Sequence, residues 1–346
     1  MVSAGSRQKV YRVARLAGVV SALEAEGVAP ARALQRVGLS VAQLHSPETR
    51  VSLDQVIRCY RNASELSADP DFAYRTGLRF HVSTYGMFGF AILSSTNFRQ
   101  AIRFAIQYRQ LAVPAADISF REEGRRGIWT TTPIAHPDVD AMLYRFIVKL
   151  EFGTQTSVHR DVISPSFTPR ELRVTYGAAE RAPARGQTFG CPVLFDQAEN
   201  ALVFDSRWLD GTPELGNEQT YRELLKLCDQ LMIELKLRIG LAGSVREALL
   251  INLARPMGLD AVAKRLKMAP RTLRRKLREE GTSYRKIVDE LRMQVSIKYL
   301  RDTDLTIVDI ASALGFSDAG NFRQAFWRWT KAAPTEFRDE ARKSRD

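Results

Sequence analysis

The segment AVAKRLKMAPRTLRRKLREEG, residues 261–281, concentrates side chains that bind anions. Eight lysines and arginines lie between Lys264 and Arg278 with no acidic residue among them. Guanidinium and ammonium groups pair with phosphates, and an arginine also reaches the O6 and N7 atoms of guanine. The same segment keeps apolar residues at helical spacing, namely Val262, Ala263, Leu266, Leu273 and Leu277. We therefore expect helices that pack through one face and present cations on the other.

The positive charge is concentrated near the C-terminal end. The 346 residues carry a formal net charge of +12, and about +7 of it lies after Arg255, in roughly the last quarter of the chain. Such a density favours a polyanionic partner. For a charge run taken alone, a basic surface that is merely solvated is the alternative.

The same quarter contains an internal repeat. The first copy is an apolar stripe formed by Leu259, Val262, Ala263 and Leu266. The same pattern recurs 48 residues later as Ile307, Ile310, Ala311 and Leu314. The small alanine in each stripe lets a second helix cross closely. A second periodic helix follows each stripe, at 270–280 and at 318–330. The pattern predicts two helix-turn-helix units.

Residues 284–301 are expected to form the helix that connects these units. A helix of this length spans roughly 27 Å, near the ~34 Å pitch of B-DNA. It would therefore hold two reading helices so that both enter successive major grooves on one face of a duplex. Helix boundaries are expected at Pro270, Gly281, Ser283, Thr306 and Asp318.

The C-terminal segment resembles the DNA-binding module of the AraC/XylS family of bacterial transcription regulators. The resemblance covers about Ser244 to Arg338 and rests on VAKRLKMAPRTLRRKL, EGTSYRKIVDELR, DIASALGFSDAGNFRQAFWRWT and PTEFR. It implies an all-α C-terminal domain with two helix-turn-helix units linked by a long helix. It also implies double-stranded promoter DNA as the partner.

The family pattern implies which residues face DNA. Base-reading positions fall at Arg271, Arg274, Arg275, Ala319, Gly320, Arg323 and Gln324. Ala319 and Gly320 offer no side-chain donor, so we expect the first unit to dominate sequence discrimination. Phosphate contacts are expected from Thr272, Lys276, Arg278, Arg285, Lys286, Arg328 and Lys331.

Three positions depart from the family pattern. Ala269 replaces the usual serine cap of the first recognition helix, a change that typically costs about 1 kcal/mol. Ala332 stands where glycine is common, and Ala333 stands where serine usually precedes Pro334. We expect weaker caps and an unchanged fold.

Residues 10–243 show a mixture of helical and strand patterns. Helices are expected at 12–38, 53–67, 97–112, 141–156 and 218–240, a β-hairpin at 118–132, and strands at 171–176 and 201–204. The segments YGMFGFAILSSTNFRQAI and FGCPVLFDQAENALVFDSRWLD resemble the arabinose-binding-like sensing domain of the same family. We therefore expect an α+β ligand-sensing and dimerisation domain at 1–215, a helical linker at 216–243 and the DNA-binding domain at 244–346.

An effector pocket is expected in the N-terminal domain. Its candidate residues combine aromatic rings with a few polar anchors, and they are Tyr85, Phe88, Tyr108, Trp129, Tyr144 and Arg145. Ordinary core packing is the alternative for each of them. The effector is expected to be a small molecule of unknown identity.

Metal and cofactor chemistry are not expected. The three cysteines are scattered, and the four histidines, His45, His81, His136 and His159, lack metal-ligand spacing. No P-loop and no G-x-S-x-G elbow occurs in the sequence. No run of about 18 apolar residues occurs either, so no membrane contact is expected.

The leading hypothesis is a cytoplasmic, ligand-responsive regulator that binds promoter DNA as a homodimer. Within the family, activation is the more common effect, and RNA polymerase is the expected further partner. A non-specific architectural DNA-binding protein is one alternative. An enzyme that its basic end localises on nucleic acid is the other.

Overall fold

Amphipathic helices build the first part of the N-terminal unit. The computed structural model describes residues 6–112, 115–177 and 188–343. Two compact units divide the chain: the N-terminal unit, Met1–Leu235, and the C-terminal unit, Lys236–Asp346. The first helices are α1 (Ala14–Glu24), α2 (Pro30–Ala33), α3 (Val41–Leu44), α4 (Leu53–Leu66) and α5 (Phe72–Leu78). A two-stranded antiparallel sheet, β1 (Tyr11–Arg12) with β2 (Arg50–Val51), accompanies them.

The stretch 12–38, expected to be helical, is broken into two helices. Helix α1 ends at Glu24, and Gly27 adopts a positive φ of 83° that a helix interior does not allow. Pro30 then occupies the first turn of α2, where its missing N–H costs nothing. Helix α4, in contrast, matches its predicted bounds closely, and Ser52 with Gln55 forms its capping box.

A five-stranded sheet forms the β part of this unit. Its strand order is β3 (Ala116–Glu123), β4 (Arg126–Pro133), β7 (Ala201–Asp205), β5 (Glu171–Arg173) and β6 (Val193–Leu194). Strands β5 and β6 pair in parallel, and the other neighbours are antiparallel. The hairpin β3–β4 lies where alternation predicted it, with Gly124 at a φ of 59° in its turn.

Three further helices pack with this sheet around one aromatic core. They are α6 (Met87–Leu93), α7 (Phe98–Gln107) and α8 (Ala141–Val162). Helix α8 crosses α5 very closely, because a Cβ on Gly77 would lie 2.2 Å from the carbonyl oxygen of Leu150, and one on Gly153 would lie 2.1 Å from that of Tyr74. Helix α9 (Glu218–Arg238) follows the sheet.

A buried ion pair connects the first helix to the longest one. Arg15 of α1 is 5% exposed and donates from Nη2 to the carboxylate of Glu151 on α8, which is 7% exposed. Removing two charges from water costs free energy. Their mutual attraction offsets this cost only while the two side chains are held close together. Helix α4 does this, because it packs against both α1 and α8.

The C-terminal unit consists of helices in its described residues. They are α10 (Gly240–Leu250), α11 (Leu259–Arg265), α12 (Pro270–Glu279), α13 (Tyr284–Asp302), α14 (Ile307–Ala313), α15 (Ala319–Thr330) and α16 (Pro334–Lys343). Helices α11 and α12 form one helix-turn-helix unit, and α14 and α15 form the other. Helix α13 connects them. The molecule thus combines an α+β N-terminal domain with a helical C-terminal domain.

The repeated apolar stripe forms the cores of both helix-turn-helix units. Val262 and Ala263 are fully buried with Leu273, Leu277 and Ile287. The second core contains the corresponding residues of the repeat together with two aromatic rings, namely Ile310, Ala311, Leu314, Phe322 and Phe326. The predicted stripes are therefore the buried faces.

The caps explain why these short helices begin and end where they do. Asp318 accepts a hydrogen bond from the Asn321 backbone N–H, and Thr306 forms a reciprocal capping box with Asp309. Helix α15 ends at Lys331, whose φ is 62°. Lys331 therefore adopts the left-handed conformation that glycine takes most easily. Among the described residues, no helix combines the length and the hydrophobicity that a membrane crossing requires.

Candidate nucleic-acid interface and ligand cleft

Helix α12 separates an apolar face from a cationic face. Leu273 and Leu277 are fully buried and hold the helix against its unit. The basic residues of the helix are all exposed, namely Arg271, Arg274, Arg275, Lys276 and Arg278. Thr272 is half-buried. The helix therefore presents guanidinium groups to solvent along its whole outer side, as base and phosphate contacts require.

Pro270 begins this helix without a capping side chain. It takes the first helical position, and Ala269 at the N-cap makes no side-chain hydrogen bond. Gly281, with a φ of 75°, lies just beyond the last residue. On the outer face, Arg275 donates to Glu279 over 2.5 Å, and both side chains are more than half exposed.

Helix α15 carries the second and chemically poorer set of predicted base-reading residues. Arg323 and Gln324 are exposed on it, while Ala319 is half-buried and Gly320 is exposed. The backbone N–H of Asn321 donates to the Asp318 carboxylate over 2.7 Å and is the largest cause that lowers the pKa of that group. The negative charge at this cap stabilises the helix N-terminus.

An exposed tryptophan accompanies these reading groups. Trp327 is 57% exposed and lies one helical turn after Arg323, on the same side of α15. The ammonium of Lys331 lies 4.8 Å from its ring centroid. The residue was not among the predicted site residues, although its spacing of three and four from Gln324 and Arg323 was a usable signal.

A cleft in the C-terminal unit brings together three predicted phosphate contacts. It has a volume of about 410 Å³, and its lining includes Arg285, Lys286 and Arg328. Arg285 and Lys286 belong to the first turn of α13, whose N-terminus carries a partial positive charge. Ser283 caps this helix by accepting from the Lys286 backbone N–H over 3.2 Å. Phosphate binding fits the charge of this end of the cleft.

The aromatic candidates of the N-terminal pocket belong to one packed core. Tyr85, Phe88, Tyr108, Trp129 and Tyr144 all lie in or against the cluster between the sheet and α6, α7 and α8. The rings of Tyr85 and Phe88 are 6.0 Å apart. The hydroxyls of Tyr108 and Tyr144 have hydrogen-bond partners, at 2.5 Å to Asp229 and at 2.7 Å to Asn200.

A neutral histidine lies in this core. Trp129 donates from Nε1 to Nε2 of His159 over 3.2 Å, and Nδ1 of the same ring is 2.6 Å from the Gln155 carbonyl oxygen. Burial lowers the pKa of His159 to about 4. The ring therefore serves packing and hydrogen bonding at neutral pH.

Arg145, the remaining candidate, lies at two clefts. A small one of about 290 Å³ is lined by Arg145 together with Tyr144 and Tyr176. Arg145 and Tyr176 also line a larger cleft of about 1820 Å³, to which α8 contributes Phe146 and Lys149 as well. We call this larger space the α8 cleft. It is formed by residues near Asp71, by α8 and by the segment 188–195.

Comparisons with known proteins assign the two domains. Residues 27–212, more than half of the chain, match the arabinose-binding domain of AraC transcription regulator, N-terminal. Residues 262–340 match the helix-turn-helix domain family.

Three full-length relatives illustrate the similarity. An ornithine utilization regulator of Pseudomonas aeruginosa is 28% identical over 86% of this chain and 86% of its own. An uncharacterized HTH-type transcriptional regulator of Mycobacterium tuberculosis is 27% identical over 90% of this chain and 91% of its own. The crystal structure of transcriptional regulator CdpR from Pseudomonas aeruginosa has 22% identity and a TM-score of 0.46, over 93% of this chain and 96% of that one.

The two domain matches lead to one assignment. The chain belongs to the AraC family of transcription regulators, with a ligand-binding N-terminal domain of the arabinose-binding type and a C-terminal helix-turn-helix domain that binds DNA.

Proposed function

We propose that this regulator binds promoter DNA sequence-specifically by placing α12 and α15 in neighbouring major grooves. The observation that carries the proposal is the exposure of Arg271, Arg274 and Arg275 on a helix whose opposite face is fully buried. These arginines have reach toward guanine O6 and N7, and Arg323, Gln324, Ala319 and Gly320 form the weaker reading set of α15.

Phosphate contacts would fix the register of both helices. The cleft lined by Arg285, Lys286 and Arg328 supports this role, because it brings two cations of the first turn of α13 together with one of α15; Asp289 and Glu290 also line it. Thr272, Lys276, Arg278 and Lys331 complete the proposed set. Helix α13 has 19 residues, which corresponds to about 28 Å and suits a spacer between grooves one turn apart.

We further propose that a small-molecule effector controls DNA binding or its outcome from the N-terminal domain. The match of residues 27–212 to a ligand-binding domain family supports this. One relative is named an ornithine utilization regulator, so amino acids belong among the effector candidates. The domains we assign are 1–215 for sensing and dimerisation, 216–243 as a helical linker and 244–346 for DNA binding.

The working form is proposed to be a cytoplasmic homodimer that activates transcription through RNA polymerase. Dimerisation would match repeated half-sites and raise the effective concentration at the second one. Transcription in vitro from a selected promoter, with and without the protein, tests the direction of regulation.

Selection from a random duplex pool with the full chain tests the proposed DNA recognition. We expect enrichment of a defined sequence, bound more tightly than a scrambled duplex at the same salt concentration. Equal affinity for both duplexes would instead support a non-specific architectural protein. Repeating the binding measurement with a metabolite library, including ornithine, tests the effector response.

A further inference from the structure

The α8 cleft combines large volume with paired charges. Its space of about 1820 Å³ exceeds the size of typical small-molecule sites, so it has room for a ligand. Three of its lining residues are acidic, Glu26, Asp69 and Asp71, and three are basic, Arg75, Arg145 and Lys149. The cleft therefore offers partners for both signs of charge.

Asp71 and Lys149 form the most buried charged pair of this lining. The side chain of Asp71 is 8% exposed and that of Lys149 is 24% exposed. Their charged atoms, Oδ1 and Nζ, are 3.8 Å apart, which is too long for a hydrogen bond. The carboxylate also accepts a hydrogen bond from the Thr188 hydroxyl at 2.9 Å, and the ammonium donates to the Pro70 carbonyl oxygen at 2.8 Å.

Two features of its surroundings disfavour the charged form of Lys149, despite the partners Asp71 and Pro70. Burial lowers the pKa of Lys149 and outweighs the attraction of Asp71, while the nearby Arg145 lowers it further. A bound anionic group beside Lys149 and Arg145 would offset both effects. Such a group, however, would also meet the carboxylate of Asp71.

A zwitterion satisfies both charges, whereas a simple anion or cation satisfies one and opposes the other. In an α-amino acid the carboxylate and the ammonium are separated by a single carbon, which matches an acid and a base placed side by side. Phe72 and Phe146, with ring centroids 6.3 Å apart, and Phe189 give the same cleft an apolar wall for the side chain of a ligand.

We propose that the α8 cleft binds a free α-amino acid, whose carboxylate lies between Lys149 and Arg145 and whose ammonium pairs with Asp71. This inference rests on the proposed effector response and names the site and the ligand class for it. Tyr176 and Thr188 line the same space and would orient the ligand through their hydroxyls.

The test measures binding to the full chain by calorimetry and thermal unfolding. The probes are a panel of the standard L-amino acids and L-ornithine, at millimolar concentration. At least one is expected to bind and to raise Tm, because a ligand specific for the folded state stabilises it. The methyl ester of that amino acid lacks the carboxylate charge, and its N-acetyl derivative lacks the ammonium charge. Each is expected to bind at least about tenfold more weakly than the amino acid itself.

Two variants locate the site. Lys149→Gln and Asp71→Asn are each expected to weaken binding of that amino acid at least about tenfold. The matched controls are Arg58→Gln and Asp138→Asn, which remove a charge pair 3.2 Å apart that does not line the cleft. They should leave amino-acid binding unchanged. A ligand-free Tm and circular dichroism spectrum close to those of the parent, measured for all four variants, confirm that the N-terminal unit folds.

Two results would overturn the proposal. One is the absence of binding by every member of the panel, and the other is undiminished binding in both Lys149→Gln and Asp71→Asn. If no amino acid binds and a metabolite of another class alters DNA binding, the effector response stays intact and this site is removed. An amino acid that binds the cleft without altering DNA binding would keep the site and remove the response.

Discussion

Arg275 and Glu279 face each other across one turn of α12, with Nη1 and Oε1 2.5 Å apart. The pair lies on the exposed face of the helix that we propose as the main reading element. In the proposed complex, Glu279 therefore competes with DNA for the guanidinium of Arg275. An exposed pair of this type contributes about 0.2–1 kcal/mol, so the competition is weak but measurable.

Replacing this acidic partner should strengthen DNA binding. We expect Glu279→Gln to lower the Kd about 1.5- to 5-fold, since Arg275 is released and a negative charge leaves the interface. Fluorescence polarisation on a selected duplex at fixed salt measures it. Glu218→Gln, which removes the exposed i, i+4 partner of Arg222 in the N-terminal unit, is the control and should have no effect. Weaker binding by Glu279→Gln would mean that the pair orders the helix for DNA.

Arg274 should discriminate between bases. Arg274→Ala is expected to cost about 1–3 kcal/mol on the selected site and to relax the preference at one base pair. Titration of duplexes that carry each base at each position measures both effects. A uniform loss across all duplexes would assign Arg274 to a phosphate instead.

Lys286 should increase the affinity for DNA without affecting the preference for particular bases. It lies at the cleft with Arg285 and Arg328, so Lys286→Ala is expected to reduce the slope of log K against log salt by about 0.9. The base preference should be unchanged. Lys226→Ala, at an exposed lysine of the N-terminal unit, is the control. An unaltered slope would remove Lys286 from the interface.

Removing one partner of the buried pair Arg15–Glu151 should destabilise the N-terminal unit. Glu151→Gln leaves the Arg15 charge buried without its counter-ion, and we expect a loss of about 3–5 kcal/mol in the free energy of unfolding of the N-terminal unit. The double variant Arg15→Met with Glu151→Leu should recover most of it. Urea unfolding, with hydrogen exchange of the α8 amides, measures both. A single variant as stable as the parent would contradict the ion pair's role.

His159 should make the N-terminal unit less stable in acid. Burial lowers its pKa from 6.5 to about 4 in the folded protein, so the unfolded chain binds the additional proton between these values. The stabilisation is complete above pH 6.5 and declines as the pH falls towards 4, by at most about 1.4 kcal/mol per pH unit. His159→Phe should remove this part of the pH dependence, and unfolding curves at several pH values measure the difference. Parallel curves for the two proteins would show that His159 does not titrate differently on folding.

The helices of the C-terminal unit were predicted from local sequence patterns. The stripes that contain Val262 and Ile310 pack against helices that follow within a few residues, so periodicity and caps determine both helix-turn-helix units. Trp327 was not among the predicted site residues, although its spacing from Arg323 and Gln324 placed it on their side of the helix. The left-handed conformation of Lys331 was not predicted, because no glycine in the sequence marks this position.

The α8 cleft could not be predicted, because it depends on contacts between segments that are distant in the sequence. Asp71, Lys149 and Thr188 come from three distant segments, and the fold alone brings them together. The aromatic candidates for the pocket have the composition of a ligand site, yet that composition also suits a core, and Tyr85, Phe88 and Trp129 pack within it. Arg145, the charged member of the predicted set, lines both clefts of this domain.

The most direct test of the two-groove account is purine-methylation interference on a selected duplex with the full chain. Methylation of guanine N7 blocks an arginine fork, so we expect two clusters of interfering guanines whose centres lie about one helical turn, roughly 10 base pairs, apart. The stronger cluster should be the one that α12 reads. A single cluster, or interference spread evenly along the duplex, would contradict the account.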